Sequence, residues 1–360
     1  LRNFFLLAVL LLAGRLLAES PFRSALPGYV YSFPRDHGSH PDFKTEWWYF
    51  TGNVTDAEGN PFGFKLTIFR SAVTPPSAST VSPLQADQLY IAHFAISDIS
   101  GGRHGAWEEI GRAGFGQASG STETLDVRLR GYEMRLETDG SITLKADRPE
   151  AGLDLRLIPM KPFAIHGKDG VHQKSDVEGQ ASHYISFTRL AAEGTLSFAG
   201  KKHRVEGLAW MDHEFGSDYL SGEQAGWDWF ALQLDSGEDL MLYQLRNKDG
   251  TANTHSIGSI VEADGTLKPI DGSRFRIVAT GKWRSPESGG TYPMGWRLEL
   301  PDGELTITPA MLEQEMCMRD YTGTCYWEGA IRIGGTWRGK PASGVGYVEL
   351  VGYAGVFDLL

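Results

Sequence analysis

The chain has 360 residues, with 45 acidic and 34 basic side chains and a formal net charge of −11. Its apolar and aromatic content supports a buried core and excludes a disordered chain, and the acidic balance argues against a nucleic-acid partner, whose phosphates need a basic surface. The 2 cysteines exclude a disulfide scaffold or a four-cysteine zinc site, and the length favours two domains over one.

Residues 1–18 carry Arg2, then an unbroken apolar run from Phe4 to Ala13. This pattern predicts a signal peptide cleaved after Ala18 and an exported, periplasmic or secreted protein; an uncleaved N-terminal anchor is the competing reading. Removing the segment takes away Arg2 and Arg15 and no acid, leaving 45 acids against 32 bases, a net −13. No later apolar run is long enough to cross a membrane, so no transmembrane span is expected after signal removal.

Beyond residue 18 the pattern is strand after strand. Period-two alternation runs through Leu125 to Leu129, Ser141 to Lys145, Leu153 to Leu157, Trp296 to Leu300 and Leu305 to Thr308. Asp-Gly pairs at 139–140, 249–250, 264–265, 271–272 and 302–303 supply turn chemistry between them. Helical periodicity is scarce, and the best candidate is a short piece from Pro309 to Met318. Residues 71–87, 161–182 (with His166, His172 and Lys174) and 284–293 read as solvated connections. The expected fold is all-β and antiparallel, as barrels or sandwiches.

A weak repeat organises the chain. Trp47, Tyr49, Phe50 and Val54 match Trp227, Trp229, Phe230 and Leu234, and each segment passes an acidic-Gly turn into a second strand ending at Arg70 or Arg246. Two duplicated halves, each opening on an aromatic hairpin, place one domain at 19–215 and the next at 216–360.

Polar and aromatic residues concentrate around Asp36 to Phe50, Trp210 to Gly216 and Gly226 to Phe230. Buried carboxylates cost several kcal/mol (roughly 3–5) unless paired or neutral, and such settings shift pKa values towards catalytic use. The tryptophans fit a barrel core or a pocket wall alike. His37, His40, Asp212, His213 and Glu214 exceed what turn capping needs. The chain has no G-x-S-x-G elbow, no H-E-x-x-H and no Walker A motif. His37, His40 and a residue of the 212–214 group have the types for a three-ligand metal site, but no spacing demands one, so neither metal nor cofactor is expected. Asn53-Val54-Thr55 matches a glycosylation sequon inside a predicted strand. Cys317 and Cys325 fit a local disulfide in an oxidising compartment; the alternative is a soft-metal site with Met316 and Met318.

The stretches 36–54 (DHGSHPDFKTEWWYFTGNV), 182–190 (SHYISFTRL), 205–217 (VEGLAWMDHEFGS), 226–246 and 326–333 (YWEGAIRI) resemble the AttH/CrtC family, which includes carotenoid 1,2-hydratase-like proteins and predicted secreted hydrolases. The resemblance covers nearly the whole mature chain. It implies two consecutive lipocalin-like (calycin) antiparallel β-barrel domains, with a site between or beside them. In the hydratase branch an acid protonates an alkene, aromatic faces steady the cation and a base assists water. Asp212 to Gly216 resembles that branch's D-H-N-W-G motif with Phe215 in place of Trp, and Leu242 to Leu245 lacks the carboxylate the branch places there.

These readings together predict an exported enzyme using acid/base chemistry, hydratase-, hydrolase- or cyclase-like, on a hydrophobic isoprenoid or lipid-like small molecule. Asp212 and His213 are the expected acid/base pair, supported by Glu214, His37, His40 and Glu46. Trp47, Trp48, Tyr49, Trp210, Trp227, Asp228, Trp229 and Tyr243 are the expected ligand-binding residues. The alternatives are a non-catalytic periplasmic carrier serving an ABC transporter, and a structural role in which the polar clusters join the barrels.

Overall fold

In the computed structural model, residues 20–75, 86–218 and 222–355 are described; the predicted signal segment lies outside them. The chain first forms a short 3-10 turn at Arg35–His37, then a run of antiparallel strands. These are β1 (Thr45–Asp56), β2 (Pro61–Ala72), β3 (Gln88–Asp98), β4 (Arg103–Arg112), β5 (Ala118–Gly120), β6 (Asp126–Leu129) and β7 (Tyr132–Leu136). There follow β8 (Ile142–Asp147), β9 (Ala151–Pro159), β10 (Ala164–Ile165), β11 (Val171–Gln173), β12 (Ala181–Phe198) and β13 (Lys201–Asp218). The second half supplies β14 (Gln224–Leu234), β15 (Asp239–Asn247), β16 (Ile257–Val261), β17 (Leu267–Asp271), β18 (Arg276–Arg284) and β19 (Thr291–Leu300). It ends with β20 (Gly303–Pro309), β21 (Glu315–Met318), β22 (Thr324–Trp337) and β23 (Lys340–Leu350).

Two sheets result. The first is ordered β4-β3-β2-β1-β13-β12-β9-β8-β7-β6-β5, with β10 and β11 added on β12. Its edges meet where Ala113 and Gly114 bridge to Ala118, so it nearly closes into a barrel, which removes the unpaired edges an open sheet exposes. The second is ordered β17-β16-β15-β14-β23-β22-β20-β19-β18, with β21 on β22. In each sheet the opening aromatic strand pairs with the next strand and with the sheet's last strand: β1 with β2 and β13, β14 with β15 and β23. The hairpin repeat in the sequence therefore corresponds to the same place in both sheets.

Each barrel fills its own interior with side chains. Phe50, Phe64, Leu66, Phe94, Leu144 and Leu157 belong to the first core, and Phe230, Leu242, Trp296, Leu298, Trp327 and Val348 to the second. A third cluster joins the barrels through the outward faces of their central strands: Tyr49, Tyr184 and Trp210 from the first, Trp229, Met241, Tyr243 and Tyr347 from the second. These strands are therefore buried on both faces, and β13 reads as an unbroken buried run over residues 209–216.

Two sequence expectations fail. Pro309 to Met318 is not helical: β20 ends at Pro309 and residues 315–318 form β21, whose backbone pairs with β22. Among the described residues there is no α-helix, only two 3-10 turns, and no helix long and apolar enough to cross a membrane. Residues 161–182 are not a solvated connection either. His166, His172 and Lys174 are almost fully buried, because this segment covers the seam between the barrels. Lys161 Nζ reaches Asp239 Oδ2 at 2.7 Å, and His166 bridges Ser186 Oγ (2.8 Å) on β12 to Ser259 Oγ (2.9 Å) on β16.

Cys317 and Cys325 face each other across β21 and β22 and form a disulfide. The soft-metal alternative loses its thiolate, and Met316 and Met318 pack with Ala95, Tyr326 and Val351 instead. Within the loop this bond closes, the backbone N–H groups of Tyr321 (2.9 Å) and Thr322 (3.3 Å) donate to Glu108 of β4, clasping one barrel to the other. Asn53 of the sequon is half-buried, and its amide donates to Gly346 O at 3.0 Å in the same seam.

Candidate active site

Alternation along β13 separates residues that are neighbours in sequence. Trp210, Asp212 and Glu214 point outward to the second barrel, while His213 points into the first. The register of β1 against β13 sets Tyr49 opposite Asp212 and Trp47 opposite Glu214 on the outward face, with Trp48 opposite His213 on the inward face. The five predicted titratable groups therefore do not converge on one cavity. They form two sites, back to back through one strand pair.

The outward site is a pocket between the barrels. It is lined by Trp47, Tyr49, Phe69, Asp212 and Glu214 from the first barrel and Trp227, Trp229, Tyr243 and Glu349 from the second. Its cavity is small, about 50 Å³, and opens onto further space shared with solvent. Six aromatic rings and three carboxyls make the wall.

Asp212 is held by three donors: Tyr184 OH (2.6 Å), Trp210 Nε1 (2.6 Å) and Ser186 Oγ. Burial nevertheless dominates and lifts its pKa to about 7. Glu349 Oε2 accepts from Trp227 Nε1 at 2.6 Å, and burial, with the charge of Glu328 next, lifts its pKa to about 8. Glu214 is paired with Lys174 at 3.1 Å and also bonds Ser182. Lys174 lies 4.1 Å from the centre of the Tyr243 ring and donates to His172 Nδ1 at 2.7 Å. Burial pushes its pKa down against the pull of Glu214.

The inward site is a closed network. Glu46 Oε1 bonds His40 Nδ1 (2.7 Å) and His213 Nε2 (2.8 Å), while its Oε2 accepts from Arg70 Nε (2.8 Å) and the His40 backbone N–H (2.9 Å). His40 Nε2 also meets Asp36 at 3.2 Å. Burial opposes a charge on His40, yet the carboxylates of Glu46 and Asp36 raise its pKa. Burial alone would raise Glu46, but the Arg70 and His40 charges hold it well below the usual range. His37 lies against Phe33 and Phe187, and burial lowers its pKa to about 3. His40, Glu46 and His213 bring ligand atoms within 4.8 Å of one another. The Arg70 guanidinium and the cationic His40 already neutralise Glu46, so this donor set does not suit a metal cation.

Four of the predicted catalytic residues, His37, His40, Glu46 and His213, are thus turned away from the pocket, and so are two predicted ligand-binding residues. Trp48 is inside the first barrel, stacked on His213 with Nε1 donating to His37 O at 3.0 Å. Asp228 is inside the second, paired with Arg246 at 2.9 Å and bonded by Tyr353 OH at 3.0 Å. Arg70 and Arg246 occupy matching places in the two halves, but their acidic partners do not: Glu46 stands directly opposite Arg70, whereas Gly226 stands opposite Arg246 and Asp228 lies two residues further along β14. Trp210 belongs to the seam but supports Asp212 from behind. Phe69 and Glu349 are pocket residues that sequence reasoning missed. The one signal for Glu349 was its alternation in Tyr347-Val348-Glu349-Leu350, which puts a carboxyl on the same face as a tyrosine.

Two barrels in tandem, each packed solid, with an aromatic and acidic pocket in the seam between their outer faces, define the class of protein. A family model described as AttH-like matches residues 24–353, and the chain belongs to that family. The crystal structure of an AttH protein from Nitrosomonas europaea is 36% identical and covers 92% of this chain and 100% of its own, with a TM-score of 0.83. Kievitone hydratase from Nectria haematococca is 16% identical with a TM-score of 0.71, covering 93% of this chain and 98% of its own. The structure of CghA is 13% identical with a TM-score of 0.59, covering 95% of this chain and 97% of its own. At those identities the last two share the fold. No curated protein matches the chain.

Proposed function

We propose that the chain is an exported acid/base enzyme, hydratase- or cyclase-like, acting on an uncharged hydrophobic small molecule held between the barrels. The observation that carries this reading is the pairing of Glu349 and Asp212 in one aromatic pocket, both buried and both lifted into the neutral range. Glu349, near 8, is protonated at neutral pH and is the proton donor. Asp212, near 7, exchanges a proton at the same pH and is the acceptor. Glu214 and Lys174 cancel each other's charge, which favours an uncharged ligand over an ionic one.

In a hydration, Glu349 gives its proton to one alkene carbon. The faces of Trp47, Trp227 and Trp229 then stabilise the cation at the other carbon. A water attacks that carbon and loses its proton to Asp212. The proton returns from Asp212 to Glu349, and the net change is one water added. Cyclisation uses the same first step, with an internal alkene in place of water. The name of kievitone hydratase supports a hydration, and export rests on the apolar segment 4–13.

The test is incubation of the purified protein with a panel of prenylated and polyene substrates in H2-18O, read by mass spectrometry. Wild type is expected to incorporate one labelled oxygen or to yield an isomer. Glu349→Gln and Asp212→Asn should each lose at least about 100-fold of that rate with unchanged unfolding midpoints. Full activity in either variant would remove its residue from the mechanism. An unaltered lipid carried from the host with no turnover of any panel member would favour the carrier instead.

A further inference from the structure

Beside Glu349, across the β22–β23 pair, lies a second buried carboxyl that does not line the pocket and has no part in the proposed hydration. Glu328 of β22 stands directly opposite Glu349 of β23 in the antiparallel register, which brings their Cβ atoms to about 5 Å. Both are buried, and both face the first barrel. Glu328 Oε2 is 2.6 Å from Lys65 Nζ of β2, an ion pair that crosses the seam with side-chain exposures of 1% and 0%. Glu349 bonds the Trp227 indole instead.

Lys65 is itself held in place by a buried chain. Its ammonium bonds Tyr326 OH, which meets His93 Nδ1 at 2.7 Å, and His93 Nε2 meets Glu108 at 3.3 Å. Burial holds His93 near 4, so it is neutral at physiological pH and adds no charge beside Lys65. Other groups around the two carboxyls are the phenols of Tyr49 on β1, Tyr326 on β22 and Tyr347 on β23, with Glu214 and Asp212 across the pocket. Among the described residues Lys65 is thus the one cation paired with either glutamate, and it contacts Glu328.

We propose that Glu328 and Glu349 form a carboxyl dyad that carries a single proton: Lys65 keeps Glu328 ionised, and Glu328 in turn holds the proton on Glu349, where it faces the pocket. Two carboxylates this close in a medium of low dielectric do not both ionise, and the one with the cation gives up its proton first. Burial leaves Glu328 above its ordinary value, though the paired Lys65 opposes the rise, whereas Glu349 is raised by burial and then by Glu328 as a nearby negative charge, with Lys65 opposing from further off. Glu328 is a positioning residue, since it acts on the reaction only through Glu349. The inference rests on the reading of Glu349 as the proton donor for its functional meaning, though not for its test.

The test is a pH titration by 13C NMR of the full chain labelled at glutamate Cδ, with Glu349→Gln and Glu328→Gln assigning the two resonances. Wild type should show Glu349 protonated at pH 7 and releasing its proton near pH 8, with Glu328 ionised throughout that range. In Glu328→Gln the Glu349 midpoint should fall by at least one pH unit; in Lys65→Met, Glu328 should take up a proton at pH 7. A Glu349 midpoint unmoved in Glu328→Gln overturns the dyad. So does a wild type in which both glutamates are ionised at pH 7, a result that needs no folded Glu328 or Lys65 variant. Should the dyad hold while Glu349→Gln keeps full turnover, the enzymatic reading fails and the dyad stands.

Discussion

Replacing Arg70 with Met is expected to cost the fold about 3–5 kcal/mol, the usual penalty for stranding a buried charge. Arg70 is 1% exposed and spends its guanidinium on four acceptors: Glu46 Oε2 (2.8 Å), Gln88 Oε1 (2.6 Å), His40 O (2.9 Å) and Phe43 O (2.8 Å). Met matches its length but removes all four bonds; Glu46 Oε2 keeps the His40 N–H and His40 O keeps the Phe43 N–H, yet the buried carboxylate loses its guanidinium. Arg70→Lys should recover little, because an ammonium cannot reproduce a planar fork aimed at four directions. Urea unfolding measures the loss. In the double variant Arg70→Met, Glu46→Gln the cost should be well below the sum of the singles, since the second change removes the stranded charge. A loss under about 1 kcal/mol for Arg70→Met would show that the network is not structural. Because Glu46 and Arg70 lie on the far side of the strand pair from the pocket, ligand binding by any folded fraction should be unchanged.

Stability should also fall steeply as the pH drops from 6 to 5. Burial holds His37 and His166 near 3 and His93, His104 and His183 near 4, and it pushes His172 well below its ordinary value of 6.5. A histidine with a lowered folded pKa contributes its full stability above pH 6.5. That stability is lost as the pH falls towards the folded value, because only the unfolded chain takes up protons there. Raised carboxyls work the other way. Asp212 near 7, Asp228 near 6 and Glu349 near 8 keep protons in the fold that the unfolded chain has released, so their contribution grows as the pH falls towards 4. The histidines outnumber them, leaving an excess of roughly two to four protons taken up on unfolding between pH 6 and 5, or about 3–5 kcal/mol per pH unit. Urea midpoints at pH 7, 6 and 5 check this. His166→Gln should make the slope shallower by about one proton. A midpoint that stays level between pH 7 and 5 would mean that these histidines are charged in the fold.

The strands were largely legible because half-buried strands alternate and their hairpin turns need Asp and Gly; residues 141–145 and 153–157 fall within β8 and β9 and their flanks. The opening hairpins were legible as a repeat because both barrels close on the same aromatic strand. Alternation gave no help in the seam, where β1, β13, β14, β22 and β23 bury both faces. There, Asp212 and His213 look like one acid/base pair in the sequence but stand on opposite sides of a sheet. Residues 161–182 misled for a related reason: their polar side chains are satisfied by another barrel rather than by water, and composition does not say which.

The sequence by itself determined the fold class, the family and the three polar and aromatic clusters, since these depend on local periodicity and on motifs read along the chain. The tertiary structure decided which side chains of those clusters face the pocket. Glu349 is more than a hundred residues from Asp212 in the chain, and only the packing of one barrel's outer face on the other brings the two into one pocket. That packing also shifts their protonation, because burial strips water from both carboxyls and disfavours their charged forms.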